Sequence, residues 1–368
     1  MTEKVYILIL NWNGWHDTLE CLESVFRNDH TDYHVVVCDN NSSDNSVERI
    51  TAWADGELDI FTIQGNCLKP LSWPPVPKPI PYSVLTREDA EHHASQQAGE
   101  RLTIIRTRNN LGFAGGNNVG LRYIRARGDH GFVWMLNNDT VIKPDTLSWM
   151  LWRMKEKPSA GICGSTLMYY DKPDLIQGMG GGYYNRFLGT ISYIGRFAIR
   201  AEQISKEDVE RRMSYVAGAS MLVSRSFLES VGLMNDSFFL YFEELNWCLR
   251  AKEKFELVYA PESLVYHKEG SSVGTASRTR GNSVVSDYFA LSNRIKFTKL
   301  HYPLLLPIIY LGLLVALVNR LMRGQPERAI MILRIIFRGQ KQRLHFLTRL
   351  QTISDRQVTG CANEDFKP

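Results

Sequence analysis

The sequence predicts an α/β fold built on a mainly parallel central sheet flanked by helices, with a helical C-terminal appendage. Three observations carry that expectation. Short apolar runs alternate with helix-like segments through the first part of the chain. Several of those runs end abruptly in clusters of asparagine and aspartate. The stretch after about residue 281 changes character, becoming strongly apolar and then basic. Strand–helix alternation implies crossover connections that place helices on both faces of a parallel sheet. Open sheets of this kind collect their ligands at the carboxyl ends of the strands.

The elements follow in order. Val5–Leu10 is an apolar run expected as the first strand, ending in Asn11-Trp12-Asn13-Gly14. A helix is expected around Thr18–Arg27 and a second strand at His34–Cys38. That strand ends in Asp39-Asn40-Asn41-Ser42-Ser43-Asp44, followed by a helix around Val47–Ala54 and a third strand at Leu58–Ile63. An interruption runs from about Gly65 to Gly99, where the prolines between Pro70 and Pro81 deny a central strand or a regular helix. It is either a surface excursion or a lid or docking loop in which Trp73 and Tyr82 supply apolar contacts. The chain is expected back in the sheet at Leu102–Ile105. Next comes Asn109-Asn110-Leu111-Gly112-Phe113-Ala114-Gly115-Gly116-Asn117-Asn118-Val119-Gly120. Its Gly-x-x-Gly-Gly spacing is not a dinucleotide fingerprint, and a helix is expected from near Asn117.

Gly131–Leu136 reads as a buried strand that stops at Asn137-Asn138-Asp139-Thr140. A carboxylate among amide oxygens suits a hard cation such as Mg²⁺ or Mn²⁺. A polar turn capping a helix near Pro144 is the competing account. Further on, Phe238-Phe239-Leu240-Tyr241-Phe242 leads into Glu243-Glu244 at the start of a helix. Acidic residues favour a helix's first turn, but the preceding aromatic wall would also raise a carboxylate's proton affinity. Asp39 either accepts a pyrimidine N–H or organises its turn, with Asp44 as a helix cap. His267 follows the strand Leu257–Ala260, with Lys268 and Arg278 as nearby cations.

Composition bounds the function. The 368 residues allow one large domain and an appendage. With 44% hydrophobic and 22% charged residues the composition is that of a folded globular protein. A net charge of +4 excludes a generally basic nucleic-acid binder. The six cysteines show no zinc-ligand spacing, as reduced thiols of a cytoplasmic protein would. No basic flank with a small-residue cleavage site precedes Val5, so no secretory leader is expected.

These motifs, in this order over roughly residues 4 to 270, resemble the family 2 inverting glycosyltransferases of GT-A fold, and among them the bacterial rhamnosyltransferases of polysaccharide assembly. The resemblance implies a transferase domain over residues 1–280, interrupted at about 65–99, and a helical region over 281–368. It implies donor-binding positions at Asn11, Asn13, Asp39, Asn110, Gly112, Asn118, Asn137 and Asn138. It implies a metal, Mg²⁺ or Mn²⁺, at Asp139 with His267, and catalysis by Glu244 with Glu243 as its neighbour. Asn246 stands where the family commonly has aspartate, which removes a third acid but leaves the pair. The implied donor is a nucleotide-diphosphate sugar, dTDP-L-rhamnose, and the acceptor a glycan or lipid-linked glycan.

Pro303–Val318 is apolar and is followed by Arg320, Arg323, Arg328, Arg334, Arg338, Lys341 and Arg343. The run is short for a spanning helix and suits one lying on an anionic membrane surface, at the inner face of the cytoplasmic membrane. A buried hairpin or a homodimer contact is the alternative. Two functions of different kind stand at this point: the transferase, and a noncatalytic nucleotide- or carbohydrate-binding protein on the same scaffold. A processive membrane synthase is disfavoured by the lack of several long apolar spans.

Overall fold

The computed structural model describes residues 4–60, 66–92, 99–200, 204–268 and 283–338. Arg278, Lys341, Arg343 and residues 61–63 of the expected third strand lie outside them. The first half contains β1 (Val5–Asn11), α1 (Trp15–Val25), β2 (Tyr33–Asp39), α2 (Ser46–Asp55), β3 (Tyr82–Thr86), α3 (Arg87–His92), β4 (Leu102–Arg106), α4 (Gly112–Arg127) and β5 (Phe132–Asn137). There follow β6 (Thr140–Ile142), α5 (Thr146–Glu156), β7 (Ala160–Tyr169), β8 (Lys172–Met179), β9 (Gly181–Asn185), β10 (Thr190–Tyr193), α6 (Lys206–Arg212), β11 (Tyr215–Val216) and β12 (Ser220–Ser224). The remainder is α7 (Arg225–Val231), α8 (Glu243–Ala251), β13 (Glu256–His267), α9 (Val284–His301), α10 (Leu306–Met322) and α11 (Pro326–Arg338). The chain divides into two units, Met1–Asn185 with Thr190–Gly281, and Arg186–Gly189 with Asn282–Pro368.

The first unit is organised by one sheet of order β3-β4-β2-β1-β5-β12-β7-β13-β6, with β8 added to β7. β3, β4, β2, β1 and β5 run parallel; β12 is antiparallel to β5 and β7, and β13 is parallel to β7. Val5–Ile9 and Val35–Cys38 are buried throughout, without the alternation of a one-sided sheet. Continuous burial is what helices on both faces require of parallel strands. The directions place the carboxyl ends of β1, β2, β4, β5 and β13 on one edge, with the amino end of β12 among them.

Three local expectations are corrected. The sheet resumes at Tyr82, not Leu102, because β3 pairs with β4 as an edge strand. The prolines end at Pro81, and an edge tolerates the irregular chain before it. The expected third strand does not begin at Leu58, since Leu58–Ile60 is irregular. The glycine-rich segment is not a loop before a helix at Asn117; it is the first half of α4 itself. Its glycines serve helix–sheet contact. A Cβ on Gly116 would lie 2.5 Å from Leu10 Cδ1, and one on Gly120 would lie 2.9 Å from Cys38 Sγ.

The proline-rich stretch is tied to the core through a buried carboxylate. Glu23 of α1 accepts the Trp53 indole N–H at 2.8 Å, the Val76 amide at 2.8 Å and the Lys78 ammonium at 3.0 Å. Removing one partner of such a buried cluster leaves the others desolvated and unpaired. Glu23→Leu should therefore cost about 3–5 kcal/mol in chemical denaturation and expose the 66–81 segment to protease. Wild-type stability in that variant would show that the clasp contributes nothing.

Candidate active site

At the shared strand edge, the side-chain amide of Asn11 is fully buried and fully used. Its Nδ2 donates to Asp39 Oδ1 at 2.9 Å and to Ser42 Oγ at 3.1 Å. Its Oδ1 accepts from Thr18 Oγ1 at 2.8 Å and from Asn138 Nδ2 at 3.4 Å. Asp39 is itself buried, its other oxygen accepting the Ser42 amide at 3.1 Å. Asn138 also donates toward Thr18 Oγ1 at 3.1 Å and Gly14 O at 3.3 Å. Asn11, Asp39 and Asn138 thus act on one another, joining β1, β2, α1 and the end of β5. Asn13 holds the β2 turn through the Ser43 amide at 2.7 Å, and Asp44 accepts the Ser46 amide at 3.1 Å.

One residue past Asn138, Asp139 is buried and faces His267 across 3.1 Å, Oδ1 to Nε2. Strand pairing brings them together: β6 begins beside Asp139, and Thr140 lies opposite His267 in β13. The other ring nitrogen, Nδ1, lies 2.8 Å from Oε1 of buried Gln177 in β8. An amide oxygen only accepts, so Nδ1 carries a hydrogen and Nε2 is the nitrogen that faces Asp139, forming an ion pair when the ring is protonated and offering a lone pair when it is neutral. Asp139 Oδ1 is buried without a hydrogen-bond donor. Burial alone would raise the Asp139 carboxyl, but His267 and Lys268 outweigh it and hold the group below the usual range. Asn137 Nδ2 approaches His267 Nε2 at 3.4 Å.

Lys268, the cation next to His267, is paired within the fold. Its ammonium sits 2.6 Å from both Asp17 and Glu20 of α1. Glu20 also accepts the Tyr170 hydroxyl at 2.7 Å, and Asn66 donates to that hydroxyl at 2.5 Å. The lysine pins the end of β13 to α1, and its backbone N–H bonds Asp139 O at 3.0 Å.

The start of α4 closes a second side of the site. Gly112 has φ +71°, and a Cβ there would strike Phe239 backbone oxygen, which accepts the Phe113 amide at 2.8 Å. Asn110 Oδ1 receives Asn40 Nδ2 and the Gly112 amide, each at 3.0 Å. Asn118 lies elsewhere. It is buried, and its amide is paired with Met234 N and O at 3.1 and 2.9 Å, so it clamps α4 to the α7–α8 connection.

The acidic pair opens α8 immediately after Tyr241 and Phe242, both in left-handed backbone (φ +69° and +74°). Two consecutive non-glycine residues there store strain, which marks a constrained segment. Glu243 is buried, and burial together with Glu244 pushes its carboxyl well above the ordinary range. Glu244 is partly exposed, and desolvation pushes it up to about 7. Its Oε1 lies against Gly218, where a Cβ would overlap it and would sit 3.1 Å from the Phe113 ring. The next residue, Ala219, accepts the Asn137 amide at 3.0 Å. Glu244 and the β5 terminus therefore flank the same two residues. Buried Asn246 lies one turn along α8.

The sequence singled out Asp139, His267, Glu243 and Glu244, and the fold gathers them on one edge. It missed Gln177, whose only signal would have been a polar residue within an apolar strand run.

The family model Glycosyltransferase like family 2 matches residues 82–284, more than half of the chain, and Glycosyl transferase family 2 matches residues 6–66. The low-salt glycan biosynthesis hexosyltransferase Agl10 of Haloferax volcanii is 25% identical over 146 residues, 39% of this chain and 44% of that protein. The N-acetylglucosaminyl-diphospho-decaprenol L-rhamnosyltransferase of Mycobacterium tuberculosis is 26% identical over 219 residues, 53% of this chain and 69% of that protein. The match to Agl10 thus spans less than half of that relative's length. A structure of GalNAc-T7 with UDP, GalNAc and Mn²⁺ superposes with a TM-score of 0.52 at 12% identity, covering 81% of this chain and 48% of the other, a likeness of fold.

The raised Glu244 carboxyl has a stability consequence. A carboxyl that binds its proton more tightly when folded contributes stability below its unfolded value, and that contribution is lost as pH rises through about 7. Between pH of about 4.5 and 7, wild type should lose on the order of 2 kcal/mol relative to Glu244→Gln in denaturant titrations. Parallel curves for the two proteins would place the Glu244 carboxyl at its ordinary value.

Proposed function

The chain belongs to the glycosyltransferase-like family 2, and from that membership we propose that it is an inverting glycosyltransferase using a nucleotide-diphosphate sugar. The proposed donor is dTDP-L-rhamnose, and the acceptor a hydroxyl of a glycan or lipid-linked glycan in cell-surface polysaccharide synthesis. The motif order and the similarity to the rhamnosyltransferase support that donor. We assign the transferase domain to residues 1–280. The observation that carries the reading is the gathering of Glu244 and the Asp139–His267 pair around the ends of β5, β12 and β13.

Glu244 is the proposed base. In a single displacement the acceptor oxygen bonds to the anomeric carbon as the carbon–phosphate oxygen bond breaks. The diphosphate leaves with the bonding pair, and the acceptor proton passes to Glu244. A base near 7 is half ionised at neutral pH, which suits proton transfer in either sense. Burial and the neighbouring Glu244 raise the proton affinity of Glu243, which disfavours a second negative charge beside the base. The glycine at 218 gives the Glu244 carboxylate its room.

The side chains of Asp139 and His267 fit a divalent cation: a buried carboxylate oxygen and the imidazole Nε2 face each other across 3.1 Å, and a neutral ring would offer the ion its lone pair. No group of three His, Cys, Asp or Glu stands there among the described residues, so donor phosphate and water would complete the shell. Mg²⁺ or Mn²⁺ so held would supply positive charge to the departing diphosphate. Asn137, partly open to solvent, and the buried Gly112 turn border the same edge and are proposed donor contacts. Asn11, Asp39 and Asn138 are proposed to shape that pocket through their mutual bonds, and Asn110 through its bonds to Asn40 and Gly112, Asp39 also facing the nucleotide base. We place the protein in the cytoplasm, peripheral at the membrane's inner face.

The test is release of nucleotide from dTDP-L-rhamnose and other nucleotide sugars with a lipid-linked acceptor. Glu244→Gln should bind donor normally while transfer falls roughly 10²–10⁴-fold, and Glu243→Gln should lose less. Donor binding by wild type without transfer to any acceptor would instead favour a noncatalytic binding protein.

The metal pair makes a separate prediction. Asp139→Ala should abolish Mn²⁺ binding read by electron paramagnetic resonance. Gln177→Leu should weaken it roughly 10–100-fold with the fold intact, because the imidazole loses the bond that fixes its orientation. Mn²⁺ binding unchanged in both variants would remove the metal assignment.

A further inference from the structure

The helices of the C-terminal unit decide how an apolar segment can meet a membrane. Pro303–Met322 is 20 residues long and is by length and composition able to cross one. Only Ile309 and Leu313 of α10 are buried. Leu304, Ile308, Leu311, Val315, Val318 and Met322 recur at alternating spacings of four and three, forming one exposed stripe. α11 adds exposed Ile330, Leu333 and Phe337 at the same periodicity.

α10 does not stand alone. Asp287, buried in the first turn of α9, accepts Arg320 Nη2 of the last turn of α10 at 3.0 Å and is also paired with Arg328 of α11. Arg320 further donates to Gln325 in the turn between α10 and α11 at 2.8 Å. The knot fixes α9 antiparallel to α10 along its length. α9 carries Arg294, Lys296 and Lys299 besides Asp287. A spanning α10 would drag these charges into hydrocarbon or break the knot, and both are costly.

We propose that α10 and α11 lie in the plane of an anionic membrane surface, stripes inward, and do not cross it. Residues 303–338 hold five arginines against one acid, Glu327. That balance complements anionic headgroups and opposes pairing with a second copy of the same face. Two of those arginines, Arg320 and Arg328, are occupied by Asp287, so lipid contact falls to Arg323 and Arg334. This inference rests on the proposed function for its purpose, bringing the site to a lipid-linked acceptor, but its test does not use transfer.

The full-length protein is added to sealed phosphatidylcholine vesicles with and without phosphatidylglycerol. Glu327→Cys, in a Cys67→Ser, Cys361→Ser background, reports the α10–α11 turn from the exposed start of α11 and leaves the arginines in place. Flotation should require the anionic lipid and weaken with salt. A membrane-impermeant maleimide should label the turn on intact vesicles as fast as in detergent. Leu311→Glu with Val315→Glu should cut vesicle binding roughly tenfold or more while nucleotide-sugar binding is kept. Labelling that appears only after the vesicles are lysed overturns the proposal in favour of a spanning helix. Failure to float, with a dimer that Leu311→Glu dissociates, overturns it in favour of a second copy. Flotation without nucleotide-sugar binding leaves this proposal standing and sinks the transferase reading.

Discussion

The buried amide of Asn11 is the interaction on which the arrangement of the strand edge depends. One side chain satisfies partners from α1, from the β2 turn and from the end of β5. Each partner is polar, and Thr18, Asp39 and Asn138 are buried, so an unmade bond to any of these would cost the desolvation of two groups at once. The network therefore has one register. Asn138 is held by it, Asp139 follows by one peptide, and β6 begins at the next residue. His267 then has only one place to stand, opposite Thr140. The metal-binding pair of the proposed function is a consequence of packing that begins 128 residues earlier in the chain.

How much of this was legible depended on the range of the interactions. β1, β2 and β5 were readable because a fully buried parallel strand is a continuous apolar run. The strand-end asparagines and aspartates were readable for the same reason, since the run stops at them. The start of α4 was not. Glycine is a poor helix former, and what makes Gly112–Gly120 helical is close packing on Leu8, Leu10 and Asn40, which no local propensity carries. β3 was hidden by the prolines before it. Asn118 stood as a donor contact through the family resemblance, and its bond to Met234, across 116 residues, had no local signal. Gln177 and the Asp17–Lys268 pair are likewise distant in sequence, 90 residues from His267 and 251 residues apart respectively. Side-chain pairing at that range becomes visible only once the sheet order is known.

The acidic pair shows a different kind of constraint. Phe238 and Phe242 are buried, and Tyr184 meets the Phe242 ring edge-on at 6.3 Å. The aromatic wall expected from sequence is present, and it removes water from the amino end of α8. Two neighbouring carboxylates there cannot both ionise readily, so their proton affinities separate, Glu243 high and Glu244 near neutrality. The left-handed backbone at Tyr241 and Phe242 is the conformational cost of the turn that sets Glu244 against Gly218.

Charge at the edge also explains why a cation belongs to the proposed mechanism. A departing diphosphate carries negative charge that must be met locally. Lys268 is the nearest described lysine in sequence to His267, but Asp17 and Glu20 already neutralise it and raise its proton affinity against the effect of burial. Its ammonium is thereby committed to holding β13 against α1. Asp139, with its ordinary acidity strengthened and one oxygen without a donor, has the opposite character. It is a buried anion whose facing group, His267, is itself a metal-binding side chain. A divalent ion would meet both needs, balancing Asp139 before the donor binds and offering charge to the phosphates afterwards. The clamp and the proposed metal site are thus complementary uses of adjacent residues: Lys268 fixes the strand, and His267 faces the chemistry.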